Sequence, residues 1–282
     1  ISRLSGISST DWSWGPLLAD LDNDGWKDLF ISNGIRREIN HRDFFNDIKL
    51  RPMSSDSLLY YTEQMPSEAI ANFTFQNNSD LTFTDVTESW GLDQKNFSNG
   101  ATYADLDNDG DLELIVNNVD QEAQIYRNNS TNNFIKIKLK GSDQNLIGID
   151  SRVFVKTPNN NQMQELTLSR GFQSSVSTYL NFGLGDESII ESVKVVWPNG
   201  NSEQLNNVDI NTTIEFDINN SNKETLSDEK LNVYFENEQI VSHKHEENIY
   251  NDYVKEVLLP HENSKLGPGI ATGDIHGDGV DD

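Results

Sequence analysis

The chain has 282 residues, 46 acidic against 21 basic, and a formal net charge of −25. So acidic a chain argues against a nucleic-acid backbone or an anionic membrane surface as partner, and the lack of cysteine excludes disulfides, thiolate metal sites and cysteine nucleophiles. Hydrophobic residues at 35% supply a core, the length suits two domains, and no apolar run reaches the roughly 18 residues needed to span a membrane.

Ser13-Trp14-Gly15 leads into a first predicted strand, which ends at Asp20-Leu-Asp22-Asn-Asp24-Gly25-Trp26-Lys-Asp28. The short apolar run Leu29-Phe30-Ile31 that follows reads as a buried strand, so the acidic stretch becomes the turn of a hairpin. Residues 35–70 carry mixed charge and apolar pairs and read as one or two inserted helices. Asn72–Asn77 and Leu81–Val86 alternate around a polar turn, which predicts a second hairpin. The acidic loop then recurs as Asp105-Leu-Asp107-Asn-Asp109-Gly110-Asp111-Leu-Glu113, again before an apolar run, Leu114-Ile115-Val116. Flanking residues repeat with it: Gly6 and Gly91, Gly15 and Gly100, Ala19 and Ala104. A recurring unit of short strands signals a propeller or a solenoid.

Asn128-Asn-Ser-Thr-Asn-Asn133 reads as a polar joint. Beyond it come six strand-like runs, 134–139, 152–155, 165–168, 176–182, 193–197 and 213–216, which predict a compact sandwich or barrel-like sheet pair. A second linker spans about 219–229, then a short strand at 233–235 and a segment rich in His and Glu. The third acidic loop, Asp274-Ile-His276-Gly-Asp278-Gly279-Val280-Asp-Asp282, closes the chain. The expected class is therefore all-β: β-propeller blades with calcium-loop hairpins plus a β-sandwich-like domain. The expected domains are 1–127, 128–220 and 221–282. Ile1 is not an initiator Met and the last residue lies inside a motif, so the chain is expected to be an interior fragment of a longer protein.

The loops carry the chemistry. Acids at positions 1, 3, 5 and 9 with Gly at 6 suit Ca2+, a hard cation that takes roughly 6–8 oxygens. The expected side-chain ligands are Asp20, Asp22, Asp24 and Asp28; Asp105, Asp107, Asp109 and Glu113; and Asp274, His276, Asp278 and Asp282. The position-7 carbonyls would add Trp26, Asp111 (or Leu112, depending on register) and Val280. An EF-hand is excluded: position 12 is Ile31 or Val116 rather than Glu, and strands rather than helices follow. The plainer alternative is an Asp/Asn/Gly-rich turn that binds nothing. Two matching loops weigh against it, because four close carboxylates repel one another unless a cation sits among them.

On these residues the first and third regions resemble FG-GAP/VCBS repeats, the blades of integrin-like propellers, with Trp14-Gly15-Pro16 through Asp28-Leu29-Phe30 the best match. The middle region resembles an ASPIC/UnbV domain through Asn145, Arg152-Val153, Gly171-Phe172, Phe182-Gly183-Leu184-Gly185 and Trp197-Pro198-Asn199-Gly200. The arrangement is similar to cartilage acidic protein-like bacterial surface proteins. The resemblance implies Ca2+ bound in hairpin loops, and an architecture more than a reaction. Two departures stand out: Asp150 where the family usually has Gly, and His276 where Asn or Asp is expected.

His243 and His245 share a strand face but lack a third metal ligand at diagnostic spacing. Trp12, Trp14 and Trp26 around the first loop could stack on sugars, with blade packing the commoner role. Asn72, Asn96 and Asn211 begin glycosylation triplets. Lys136, Lys138 and Lys140 read as the wet face of a strand. No nucleophile elbow, P-loop or dinucleotide fingerprint is present. The expected function is a Ca2+-binding, non-enzymatic adhesion or binding protein, secreted or on the outer-membrane surface, with a protein or glycan partner. The alternatives are a surface glycan-processing enzyme, using a carboxylate pair, and an accessory subunit of an outer-membrane complex.

Overall fold

The computed structural model describes residues 2–51, 55–223, 249–256, 262–266 and 273–279. The chain divides into two units, Ile1–Leu226 and Ser227–Asp282. The strand expected at 233–235 and the His243/His245 segment lie outside the described residues.

In the first unit, β1 (Ser13–Ala19) and β2 (Asp28–Asn33) form an antiparallel hairpin around the first acidic loop. Every residue of β2 is buried, as its apolar run predicted. Two helices follow within the insertion expected at 35–70 to hold one or two, α1 (Arg42–Lys49) and α2 (Ser55–Glu63). His41 caps α1 by accepting the Phe44 amide hydrogen at Nδ1, 3.1 Å, which satisfies one of the orphan donors of the first turn. The chain returns through β3 (Ile70–Ala71), β4 (Phe73–Asn77) and β5 (Phe83–Asp85), and β4 and β5 extend the first hairpin into a sheet ordered β1-β2-β4-β5. β6 (Lys95–Asn96) pairs with β3. β7 (Ser98–Ala104), β8 (Glu113–Asn118) and β9 (Gln124–Tyr126) make the second sheet around the second loop. The two sheets pack through Leu17, Phe30, Ala101, Leu114 and Val116, a core that Leu92 completes. The sheets are open, and no closed propeller ring is formed among the described residues.

The middle region is the expected pair of sheets. β10 (Asn133–Lys140) lies between β13 (Leu180–Gly185), antiparallel, and β16 (Thr212–Asp217), parallel. The facing sheet is ordered β12-β11-β14-β15-β17, from β11 (Arg152–Lys156), β12 (Asn161–Glu165), β14 (Ile190–Val196), β15 (Asn201–Val208) and β17 (Asn222–Lys223). Ile135, Ile137, Phe182 and Phe216 from one sheet meet Val153, Val155, Val193 and Val195 from the other, with Trp197 buried among them.

Three details differ from expectation. The strand expected at 165–168 is instead Asn161–Glu165, a polar edge strand with little apolar signal. Leu166 leaves the ladder and buries its side chain in the core, 1% exposed. The strand expected at 176–182 begins only at Leu180. β15 was not anticipated, because Asn201-Ser-Glu-Gln-Leu-Asn-Asn-Val208 is polar; the apolar β14 beside it recruits it by register.

Asp150, where a Gly was expected, takes φ +66. A residue with a Cβ is strained in that region and Gly is not. Asp150→Gly is therefore expected to stabilise the protein by about 0.5–1 kcal/mol, read as a higher urea midpoint at unchanged slope. An unchanged or lower midpoint would show that the Asp150 side chain holds the turn by a contact of its own.

Candidate metal centre

The first loop gathers three of its expected ligands. One oxygen from each of Asp20, Asp22 and Asp28 lies within 4.8 Å of the others. Backbone hydrogen bonds set them in place. Gly25 N–H donates to Asp20 Oδ2 at 3.0 Å, and Leu21 N–H donates to Asp28 Oδ2 at 2.9 Å. Asn23 and Gly25 supply the left-handed turns, φ +56 and +95, that let the loop close on itself. From β4, Gln76 Nε2 donates to Asp22 Oδ2 at 2.7 Å and Asn77 N–H to Asp28 Oδ1 at 3.0 Å. Asp24 stands outside the triad, its Oδ1 accepting the Trp26 amide hydrogen at 2.7 Å.

The electrostatics of this loop are those of a site with surplus negative charge. Asp20 and Asp28 are each 1% exposed. Burial, reinforced by the neighbouring aspartates, pushes both carboxyls up to about 7, against the pull of Lys27 on Asp20 and of amide donors on Asp28. Asp24 is raised as well, chiefly by burial. Burial lowers the Lys27 ammonium, an effect that Asp20 and Asp28 offset in part. Asp20 Oδ1 is buried and accepts no hydrogen bond. A buried anion with an unpartnered oxygen costs several kcal/mol, so the donor set fits a hard divalent cation, which would restore each carboxylate to its ionised form.

The second loop repeats the pattern with one change. Asp105, Asp107 and Glu113 form one close set, and Asp107, Asp109 and Asp111 another. Asp105 Oδ1 and both oxygens of Asp111 are buried without a hydrogen-bond partner. Burial, then Asp109 and Glu113, raise Asp111 to about 7. Asp111 was expected to offer only its carbonyl; its side chain joins the acidic cluster. The change is Lys136, whose Nζ donates to Asp105 Oδ2 at 2.5 Å. Both side chains are buried, 8% and 4% exposed. This corrects the reading of Lys136 as part of a wet face. Lys138 and Lys140 do face solvent, where they pair with Glu215 and Asp217.

Both loops dock on the middle sheets. Gly183 N–H donates to Asp20 Oδ2 at 3.1 Å. Asn181 Nδ2 reaches Asn23 Oδ1 and the Gly110 carbonyl, both at 3.1 Å, and Asn23 Nδ2 reaches the same carbonyl at 3.0 Å. Gly110 lies against the Phe134 ring so closely that a Cβ there would fall 2.0 Å from it. Gly171 packs on Gly15, and the Trp14 ring packs against Phe172 at a 49° tilt with centroids 4.7 Å apart. The polar joint is a clamp: Asn128 Nδ2 donates to the carbonyls of Leu21 and Leu112, and Ser130 Oγ and Asn132 Nδ2 both donate to that of Asp22.

Residues 141–223 match the ASPIC and UnbV family. No curated protein matches the chain. In the ASPIC/UnbV segment, the blocks singled out in the sequence have physical jobs here. Phe182-Gly183-Leu184-Gly185 seats the first loop, since only a residue without Cβ fits against Asp20 and Asn23. Gly171-Phe172 seats the start of β1. Trp197 closes the core over Gly148, where a Cβ would come within 2.9 Å of its ring.

The remaining candidates fall differently. In the second unit Asp274 accepts amide hydrogens from Gly277, Asp278 and Gly279, and these hold its carboxyl below the usual range. It forms no close acidic set with His276 and Asp278 among the described residues; Val280 and Asp282 lie outside them. Trp12 and Trp14 pair at the start of β1, and Trp26 is half-exposed. Asn72 and Asn96 are buried with their side chains hydrogen-bonded, so neither is open to a glycan in the folded protein. Asn181, Lys136, Gln76 and Asn128 escaped sequence reasoning because each acts across a distance in the chain; Asn128 alone carried a local signal, the Asn-rich run around it.

Proposed function

We propose that this chain is a Ca2+-binding, non-enzymatic surface protein. In this reading two FG-GAP/VCBS-type blades hold calcium in their hairpin loops and are locked by those loops to the ASPIC/UnbV segment, forming a rigid module that binds a protein or glycan outside the cell. One observation carries it: Asp20, Asp22 and Asp28 converge in a largely buried loop with an unpartnered oxygen, and Lys27 offsets only part of their charge. Asp20, Asp22, Asp24, Asp28 and the Trp26 carbonyl would hold the first ion. Asp105, Asp107, Asp109, Asp111 and Glu113 would hold the second, with Lys136 already neutralising part of that loop. The ions neutralise clustered charge and cross-link each hairpin. Weak loops of this kind suit the millimolar Ca2+ found outside cells.

The test is a Ca2+ titration of the full chain by calorimetry, with thermal unfolding followed in parallel. Saturable binding with a rising melting temperature is expected, worth about 2.7 kcal/mol per site at a hundredfold excess over Kd. Asp24→Ala and Asp109→Ala should each lose one binding event and lower the melting temperature in Ca2+ far more than in chelator. Equal losses in both buffers would reject the metal role. Absence of binding would move the carboxylate-pair hydrolase ahead, and release of reducing ends from a polysaccharide panel would then be the measurement.

A further inference from the structure

A cavity of about 600 Å³ opens where β1, β2 and β7 meet the ASPIC/UnbV segment. In a chain with 46 acids and 21 bases, three cationic side chains line it: Lys27, Lys136 and Arg170. Two acids also line it, Asp105 and Glu165, and each is already engaged, Asp105 by Lys136 and Glu165 by Arg152. Lys27 faces Asp20 and Asp28 on its other side, which leaves Arg170 in the cavity wall without an ion pair among the described residues. Lys27 and Arg170 lie near enough to repel each other. Arg170 touches the Tyr103 hydroxyl and, weakly, the carbonyl of its neighbour Ser169, at 3.4 Å. A guanidinium without an acidic partner at a concave surface, with a second cation beside it, favours an anion there. The rest of the wall is largely apolar, with Pro16, Leu18, Met163 and Val176 on it, and Leu18 and Met163 are exposed. A mostly apolar cleft of this volume with a few convergent polar groups is the form small-molecule sites take.

We propose that this cavity binds a small organic carboxylate, its acid group held between Lys27 and Arg170 and its body laid against the apolar wall. The guanidinium fork matches a carboxylate. A single negative charge fits better than two, because Asp20 and Asp28 border Lys27 from the other side. The site stands on Arg170, Lys27 and the cavity, and no metal is part of it.

The experiment is ligand-observed NMR and calorimetry on the full chain with glucuronate and benzoate, against glucose and benzyl alcohol as uncharged counterparts. Each is tested up to roughly 10 mM, where even weak sites report, and in both Ca2+ and chelator. At least one carboxylate is expected to bind in both buffers while its uncharged counterpart does not; which one binds tells an acidic sugar from an apolar acid. Arg170→Gln should weaken binding at least tenfold with Ca2+ affinity unchanged, and Arg170→Lys should weaken it less; Lys27→Met should also weaken it. Carboxylate binding that vanishes in chelator would assign the anion to a bound ion and overturn the proposal without touching the calcium reading. No binding of either acid, equal binding of the uncharged counterparts, or indifference to Arg170→Gln would overturn it as well.

Discussion

Gly183→Ala is expected to be among the most damaging single-methyl changes in this protein. A Cβ at Gly183 would fall 2.3 Å from Asp20 Oδ2 and 2.4 Å from the Cα of Asn23. Backbone atoms cannot turn aside as a flexible side chain can, so either β13 or the first loop must move. Overpacking of a well-packed site costs about 1–3 kcal/mol, and a clash on both backbone and ligand belongs at the upper end. At about 3 kcal/mol the melting temperature should fall by roughly 6–12 °C for a unit of this size. The displacement also breaks the Gly183 N–H to Asp20 hydrogen bond and shifts a proposed ligand. Calorimetry should therefore show weaker Ca2+ binding at one site and an unchanged second site. Gly200→Ala is the control: Gly200 has φ +82 but nothing within 4 Å, so it should pay only backbone strain and leave Ca2+ binding alone. A Gly183→Ala protein with unaltered stability would mean that the loop and the ASPIC/UnbV segment do not dock as described.

The second large effect is in pH. Asp20, Asp28 and Asp111 each have a folded-state carboxyl raised to about 7, burial being the first cause in every case, against an ordinary value of 3.8. Between those values the metal-free folded state keeps protons that the unfolded chain has released. Stability therefore falls as pH rises through that window, and levels off above it. The three groups sit among other carboxylates and titrate together, so the combined loss is on the order of 3 kcal/mol rather than the sum of three separate shifts. Chelator-treated protein should melt higher at pH 5 than at pH 8. With saturating Ca2+ the dependence should reverse, because the ion competes with protons for the same oxygens. Urea melts at several pH values, with and without chelator, check both signs. If chelator-treated protein grows more stable from pH 5 to pH 7, the carboxylates are ionised and already paired, and the loops have no charge for a metal to relieve.

Much of the local structure was legible in the chain. Hairpins around the first two loops follow from turn-forming Asp, Asn and Gly placed before apolar runs, and Leu29-Phe30-Ile31 and Leu114-Ile115-Val116 form the buried strands expected of them. One or two helices are legible within 35–70, where two form, and the hairpin of β4 and β5 follows from alternation around a polar turn. What misled was polarity. β12 and β15 carry few apolar residues, so their existence depends on a neighbour's ladder rather than on their own pattern. Lys136 alternates with apolar residues like any surface lysine, and nothing nearby in the chain says that Asp105 waits beside it.

By itself the sequence determined the acidic loops, their repeat and the strand periods on either side, because turn chemistry and period-two burial are local properties of consecutive residues. Only the tertiary structure decided which oxygens are buried and left without partners, because burial is set by what packs on top. The covering surface comes from the ASPIC/UnbV segment and the strand before it: Gly183 against Asp20, Asn181 against Asn23 and Gly110, Lys136 of β10 against Asp105. The same docking sets Lys27 and Arg170, far apart in the chain, on one cavity wall. A loop rich in Asp is an ordinary solvated turn until a neighbouring sheet excludes water from it, and that exclusion turns a composition into a site.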